Sequence, residues 1–377
     1  MFTKTLSGAL LLVALFSTFT LDANAKSIYA IIDHGYMSGP PAKIASYDVN
    51  SSQINWQATL ELADQQEYPT GMGLGPVGIA IDSNSGYLFI SHESMYYYCG
   101  CTIKGIQLIE ASTMTDLGWI SAPNAVDVAG IVFDNEKGKL YVADRSFTGD
   151  NKKVFVYSWN ADNMTLSYDR ELLITDQSGQ GELYDLSACG LALDETEDLL
   201  YVTFISDHWA ATNKVYCYNT EDWTFQKRIE ITVDGNDRYA TAAAIYNNGS
   251  SKYLFTGAFW NNTYLVRTDL SDTNNPDSYV EKNLGTGIGA TGIAVDQQTG
   301  LVYVTTSYDN TIKVFNGLNF PSDPCYTETA NISGPAGICV PYASPIDVDI
   351  AITDNVSDCV FPNNDVNYTV EYAINQD

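Results

Sequence analysis

The sequence predicts an all-β protein: a six-bladed β-propeller closed by N-terminal strands plus one C-terminal strand, with a short partial β-sandwich-like tail. Three observations predict it. Charged residues are only 17% of the 377-residue chain, while 28 glycines and 26 tyrosines are spread along it, the profile of many short strands and turns. A unit of glycine, apolar run, aspartate, tight turn and β-branched strand recurs at intervals that hold about four strands each. The two ends of the chain carry complementary fractions of that unit.

The unit is clearest from Gly292 to Asn316, GIAVDQQTGLVYVTTSYDNTIKVFN. Ile293 to Val295 is an apolar run that ends at Asp296. Gly300 supplies the left-handed position that closes a hairpin. Leu301–Thr305 and Thr311–Phe315 are further strands, joined through Tyr308-Asp309-Asn310. Earlier copies read Gly78-Ile-Ala-Ile-Asp82, Gly130-Ile-Val-Phe-Asp134 and Gly190-Leu-Ala-Leu-Asp194, each followed by a turn and a second strand. Ala242-Ala-Ala-Ile-Tyr246 is a degenerate copy, and Gly337-Ile-Cys-Val340 is a partial one that stops at Pro341. The equivalent positions 78, 130, 190, 242, 292 and 337 are spaced by 52, 60, 52, 50 and 45 residues. Such spacing with four strands per unit is the sequence sign of a propeller.

The ends decide between a closed ring and a linear stack. The stretch from Ser27 to Leu62 offers three strands with no first strand before them, and Gly337–Val340 offers a first strand with nothing after it. Joined, they make a sixth blade and remove two exposed sheet edges. Residues 26–343 are therefore assigned to the propeller.

The repeat resembles the YVTN and NHL-like propeller families, through Gly-Ile-Ala-Val-Asp296, Leu301-Val-Tyr-Val-Thr-Thr306 and Asn310-Thr-Ile-Lys-Val-Phe315. The resemblance implies the architecture but no single activity, because propellers with this repeat include binding modules, lyases and lactonases. Residues 344–377 resemble the start of an immunoglobulin-like repeat of bacterial and archaeal surface proteins, through Pro345–Thr353 and Asp365–Ile374. A sandwich of that kind needs about 100 residues, so this segment is an incomplete immunoglobulin-like β segment and the chain reads as a piece of a longer protein, with a two-strand appendage as the alternative.

Residues 1–25 read as a signal peptide: Lys4, an apolar run from Leu10 to Phe16, and Ala23-Asn24-Ala25 ahead of Lys26. No later stretch is long and apolar enough to span a bilayer. The expected location is secreted, extracellular or on the cell surface, with the periplasm as a variant. The net charge of −28 argues against nucleic acid and anionic membranes as partners. The seven cysteines are an odd number, so at least one is unpaired within the chain. Cys99–Cys101 and Cys325–Cys339 are pairings the sequence leaves open.

Asp82, Asp134, Asp194 and Asp296 all fall on one face and read as turn formers. The opposite face carries the loops between second and third strands, and all three histidines of the chain, His34, His92 and His208, fall at that loop position. Converging from three blades, they could hold a divalent metal such as zinc, or act in a lyase; Glu93, Asn261 and Asp309 are the candidates for calcium. Tyr96, Tyr97 and Tyr98, in the Cys99/Cys101 loop, join Trp209, Trp260, Arg145 and Asp309 as a candidate ligand-binding surface, since tyrosine brings contact area at low entropic cost. No G-x-S-x-G, P-loop, Rossmann or H-E-x-x-H motif is present. The leading functional expectation is a module that binds an extracellular protein or glycan through this face. The alternative is a metal-dependent lyase or lactone hydrolase using the histidines.

Overall fold

The computed structural model describes residues 26–33, 42–50, 53–62, 75–93, 105–125, 128–144, 152–175, 186–206, 214–233, 236–237, 239–260, 262–271, 278–286, 290–307, 309–329, 332–333 and 335–341. These form six four-stranded antiparallel sheets and one two-stranded ribbon. The signal-peptide segment and the immunoglobulin-like segment lie outside the described residues.

Blade 1 joins the first and last of the described strands. It holds β1 (Lys26–Asp33), β2 (Lys43–Asn50), β3 (Gln53–Glu61) and the short terminal strand β26 (Ile338–Cys339), in the order β26-β1-β2-β3. Tyr29 sits opposite Cys339 and Ala30 opposite Ile338. Ile31 N–H donates to Gly337 O at 2.9 Å. Blade 2 is β4 (Gly75–Asp82), β5 (Tyr87–Glu93), β6 (Gly105–Glu110) and β7 (Thr115–Ser121). Blade 3 is β8 (Val128–Asp134), β9 (Lys139–Asp144), β10 (Lys153–Asn160) and β11 (Thr165–Leu173). Blade 4 is β12 (Leu186–Asp194), β13 (Leu199–Ser206), β14 (Lys214–Asn219) and β15 (Phe225–Glu230). A ribbon of β16 (Thr232–Val233) and β17 (Asn236–Asp237), not foreseen from the repeat, precedes blade 5. Blade 5 is β18 (Tyr239–Asn247), β19 (Lys252–Trp260), β20 (Asn262–Asp269) and β21 (Ser278–Thr286). Blade 6 is β22 (Ala290–Val295), β23 (Leu301–Thr306), β24 (Thr311–Asn316) and β25 (Tyr326–Glu328).

Each blade buries both faces, which is why the inner strands read as unbroken apolar runs rather than alternating ones. Six apolar clusters fill the junctions, one between each pair of neighbouring blades. The cluster of Ile28, Ala30 and Tyr47 with Ala294, Tyr303 and Val314 packs blade 6 onto blade 1, so the ring is closed by core as well as by strand pairing. Every second strand contributes one buried aromatic at the same register: Tyr29, Phe89, Tyr141, Tyr201, Phe255 and Tyr303.

The recurring glycine has a steric cause. A Cβ on Gly78 would lie 2.8 Å from Ala129 O of the next blade, on Gly190 2.6 Å from Thr241 O, and on Gly337 2.9 Å from Val77 O. At Gly130 and Gly292 it would overlap Cys189 O and Ala336 O still more closely. At these five positions the backbones of adjacent inner strands touch, and only glycine leaves room. The residue opposite on the second strand captures the incoming carbonyl: Ser91 Oγ donates to Ala129 O, and Thr305 Oγ1 to Ala336 O. In blade 5, where Ala242 and Gly257 occupy these positions, Thr241 Oγ1 takes over and donates to Ala290 O at 2.9 Å.

Candidate functional site

The inner strands run so that every aspartate turn falls on one face. Asp82, Asp134, Asp194 and Asp296 are all buried. Asp134 Oδ1 accepts from Lys137 N–H at 2.8 Å, and Asp296 Oδ1 from Gln298 N–H at 2.9 Å. Gly86, Gly138 and Gly300 close their turns at φ of 77°, 62° and 69°, values open to glycine. Burial pushes the Asp134 carboxyl up. Burial acts upward on Asp194 too, but Lys252 Nζ at 2.7 Å, Thr196 and Asn247 outweigh it and hold that carboxyl below its usual range. These aspartates build turns, as their spacing suggested.

The same face carries a feature the sequence reading missed. In blades 2 to 6 the residue after the turn aspartate, or after Tyr246 in the degenerate copy, hydrogen-bonds to a neighbouring blade. Ser83 N–H donates to Asn135 Oδ1 at 2.8 Å, Asn135 N–H to Glu195 Oε1 at 3.0 Å, and Asn247 N–H to Gln297 Oε1 at 3.1 Å. Asn247 Nδ2 reaches across to Asp194 Oδ2 at 3.0 Å. The available signal was a polar residue at that position in every full copy. Within this belt Glu195 Oε2 is buried without a hydrogen-bond partner. Burial, reinforced by the charge of Asp134, raises the Glu195 carboxyl to about 7. The folded pKa exceeds the unfolded value, so protonation favours the native state: the penalty is absent below about pH 4.5 and complete above about 7. Glu195→Gln is expected to stabilise the protein at pH 8 by about 1–2 kcal/mol, after allowance for partial solvent screening, and to make no difference at pH 4. Urea denaturation at the two pH values checks this.

The opposite face receives the ends of the second strands. Strands β1, β3, β5, β9, β11 and β13 all end there. His92, near the end of β5, is the one described histidine. Its side chain is 4% exposed. Nε2 lies 2.9 Å from Gln107 Oε1, and the ring packs on Trp119 with centroids 4.5 Å apart. Gln107 Nε2 donates to Asp116 Oδ2 at 2.7 Å, which fixes the amide orientation and makes His92 Nε2 the proton-bearing nitrogen. Burial lowers the His92 pKa to about 4, the bond to Gln107 working weakly the other way. His92 is thus neutral, engaged through Nε2 and packed inside blade 2. Its folded pKa lies below its unfolded one, so stability is full above about pH 6.5 and falls as pH drops towards 4. His92→Gln is expected to flatten that limb of the stability profile by about 2–3 kcal/mol, read by denaturation between pH 7 and 4.

Asp309 is held in the hairpin between β23 and β24. It pairs with Lys313 and accepts from Thr306 Oγ1 and, at 3.0 Å, Thr311 Oγ1. Burial alone would raise its carboxyl, but Lys313 and the hydroxyls outweigh it and lower it. Asn310, at φ 54°, completes the turn. His34, His208, Tyr96, Tyr97, Tyr98, Trp209, Arg145 and Asn261 lie outside the described residues, as do the side chains of Glu93 and Trp260. Among the described residues no group of three or more His, Cys, Asp or Glu is placed to hold a metal. No helix among them is long and apolar enough to cross a membrane.

The cysteines correct one pairing. Cys189, Cys217 and Cys339 are thiols, and burial raises Cys217 to about 11. Cys325 is disulfide-bonded, to a partner outside the described residues. A Cys325–Cys339 link is therefore excluded, because Cys339 is a free thiol, placed in β26 against β1.

Between the six inner strands runs a central channel of about 600 Å³, bordered at the loop face by Val77, Ala129, Cys189, Thr241, Thr291 and Pro335 and at the turn face by Asn135, Glu195, Asn247 and Gln297. With six blades and this channel the chain is a six-bladed β-propeller. No protein-family model and no curated protein matches the sequence. Among solved structures, a chain in the crystal structure of a nidogen/laminin complex superposes with a TM-score of 0.54 at 12% identity, covering 84% of this chain and 98% of that one. A functionally unknown protein from Desulfotomaculum acetoxidans gives 0.50 at 13% identity, covering 85% and 86%. Likeness at these identities shows the fold.

Proposed function

We propose that this propeller is an extracellular binding module that engages a protein partner through its loop-rich face. The observation that carries the reading is the asymmetry of the two faces. On one, the aspartate turns spend their polar groups on each other and on the neighbouring blade. On the other arrive the long connections, including the Tyr96-Tyr97-Tyr98 stretch, and connecting segments on a rigid scaffold are where recognition concentrates. The similar chain in a nidogen/laminin complex supports a protein rather than a small molecule as partner. Glycan binding by the same tyrosines is the companion reading. Residues 1–25 and the disulfide at Cys325 support export.

The test is a binding screen of the mature protein against arrays of extracellular proteins and of glycans. The hits are then measured with Tyr96, Tyr97 and Tyr98 changed together to serine, and separately with the turn-face change Glu136→Lys. The expected result is a loss of about tenfold or more for the tyrosine variant and none for the turn-face variant. A partner indifferent to the tyrosines but lost with Glu136→Lys would overturn the assignment of the face. Amino-terminal sequencing of the exported protein should begin at Lys26.

A further inference from the structure

We propose that the central channel is a second, independent site, one that takes a small alkyl-bearing organic cation. Its volume of about 600 Å³ falls within the range of small-molecule pockets. The wall is mainly apolar: Ile79, Ile131, Leu191, Ile293 and Ile338 recur at one level, each showing only a sliver of surface. Such a wall suits a slender alkyl body.

Charge selects the head group. No lysine, arginine or histidine is among the described residues that line the channel, and Asp194 and Glu195 are the only charged groups among them. Asp194 is satisfied by Lys252 at 2.7 Å. Glu195 has no basic partner among the described residues, and one of its oxygens is buried without a hydrogen bond. An ionised Glu195 therefore leaves an uncompensated negative charge at the turn-face mouth, in a chain of net charge −28. An ammonium group arriving there offsets that charge, while a carboxylate of equal length is repelled. The alkyl body then lies against the isoleucine level, removed from water.

The mature protein is titrated calorimetrically at about pH 8, where Glu195 is ionised, with octylammonium, 1-octanol, octanoate or methylammonium. Octylammonium is expected to bind saturably, octanol more weakly, and octanoate and methylammonium not at all. Glu195→Gln is expected to weaken octylammonium by about fivefold and leave octanol unchanged. No binding of octylammonium, equal binding of octanoate or methylammonium, or an unchanged affinity in a folded Glu195→Gln protein would each overturn the proposal. Serine at Tyr96, Tyr97 and Tyr98 is expected to leave octylammonium binding unchanged, so failure here leaves the loop-face reading standing, and the converse holds.

Discussion

Lys252→Met is expected to destabilise the protein by about 3–5 kcal/mol at neutral pH, the largest effect of any single side-chain change considered for this fold. Lys252 is 9% exposed and reaches from the start of β19 in blade 5 to the turn of blade 4. Its ammonium lies 2.7 Å from Asp194 Oδ2 and 2.6 Å from Glu197 Oε2. Asp194 is itself 2% exposed, so removing the lysine strands a buried carboxylate, and that penalty far exceeds the worth of the intact pair. The sign with pH follows from the lowered Asp194 carboxyl. Its contribution is present above the ordinary carboxylate range and is lost as pH falls through the lowered folded value. In the variant the stranded carboxyl is expected to titrate upward instead, so the difference from wild type should shrink on acidification. A double variant with Asp194→Asn should recover most of the loss, because no buried charge then remains. Chemical denaturation of the three proteins at pH 7 and pH 4 decides it. A single-variant loss below about 1 kcal/mol would mean the pair is solvated.

Gly130→Ala is expected to cost about 3 kcal/mol. A methyl group there overlaps Cys189 O, a backbone atom of the next blade that cannot rotate away. The loss is steric and axial, so it should appear equally at every pH, unlike the Lys252 effect. Gly86→Ala is the control: its Cβ would meet nothing within 4 Å, but its φ of 77° charges a conformational cost of about 1 kcal/mol. A larger loss at Gly86 than at Gly130 would show that the repeat glycine serves the turn rather than the contact between blades.

Much of this fold was legible in the residues, for physical reasons. Period-two strands buried on both faces leave apolar runs, and tight turns demand an aspartate and a glycine at fixed offsets. The pattern at Gly292–Gly300 therefore announced itself wherever it recurred. The complementary ends were legible because Gly337–Val340 repeats the first strand and Ser27–Leu62 lacks it. The belt of Asn135, Glu195, Asn247 and Gln297 was not, because its partners are some 50 to 60 positions apart and the residue types vary. Nor was the fate of His92. A histidine at a loop position reads as exposed, but Gln107 and Trp119, brought alongside by strand pairing, draw its ring into the blade. Three histidines at equivalent positions were a statement about backbone register, and register does not fix where a side chain turns. Asp309 is held by residues adjacent in sequence, Thr306, Thr311 and Lys313, contacts that become visible only once the hairpin between β23 and β24 is in place.

The central claim is that the two ends of the chain form one blade and so close the ring on which both proposed sites depend. In blade 1, Tyr29 of β1 stands directly opposite Cys339 of β26, and directly opposed Cα atoms in antiparallel strands lie about 4.5–5.5 Å apart, within disulfide reach. Tyr29→Cys, oxidised under native conditions and mapped by mass spectrometry, should yield a disulfide between the introduced thiol and Cys339, joining β1 to β26. A folded variant in which both thiols stay unlinked, or in which the introduced thiol pairs with a different cysteine, would contradict it.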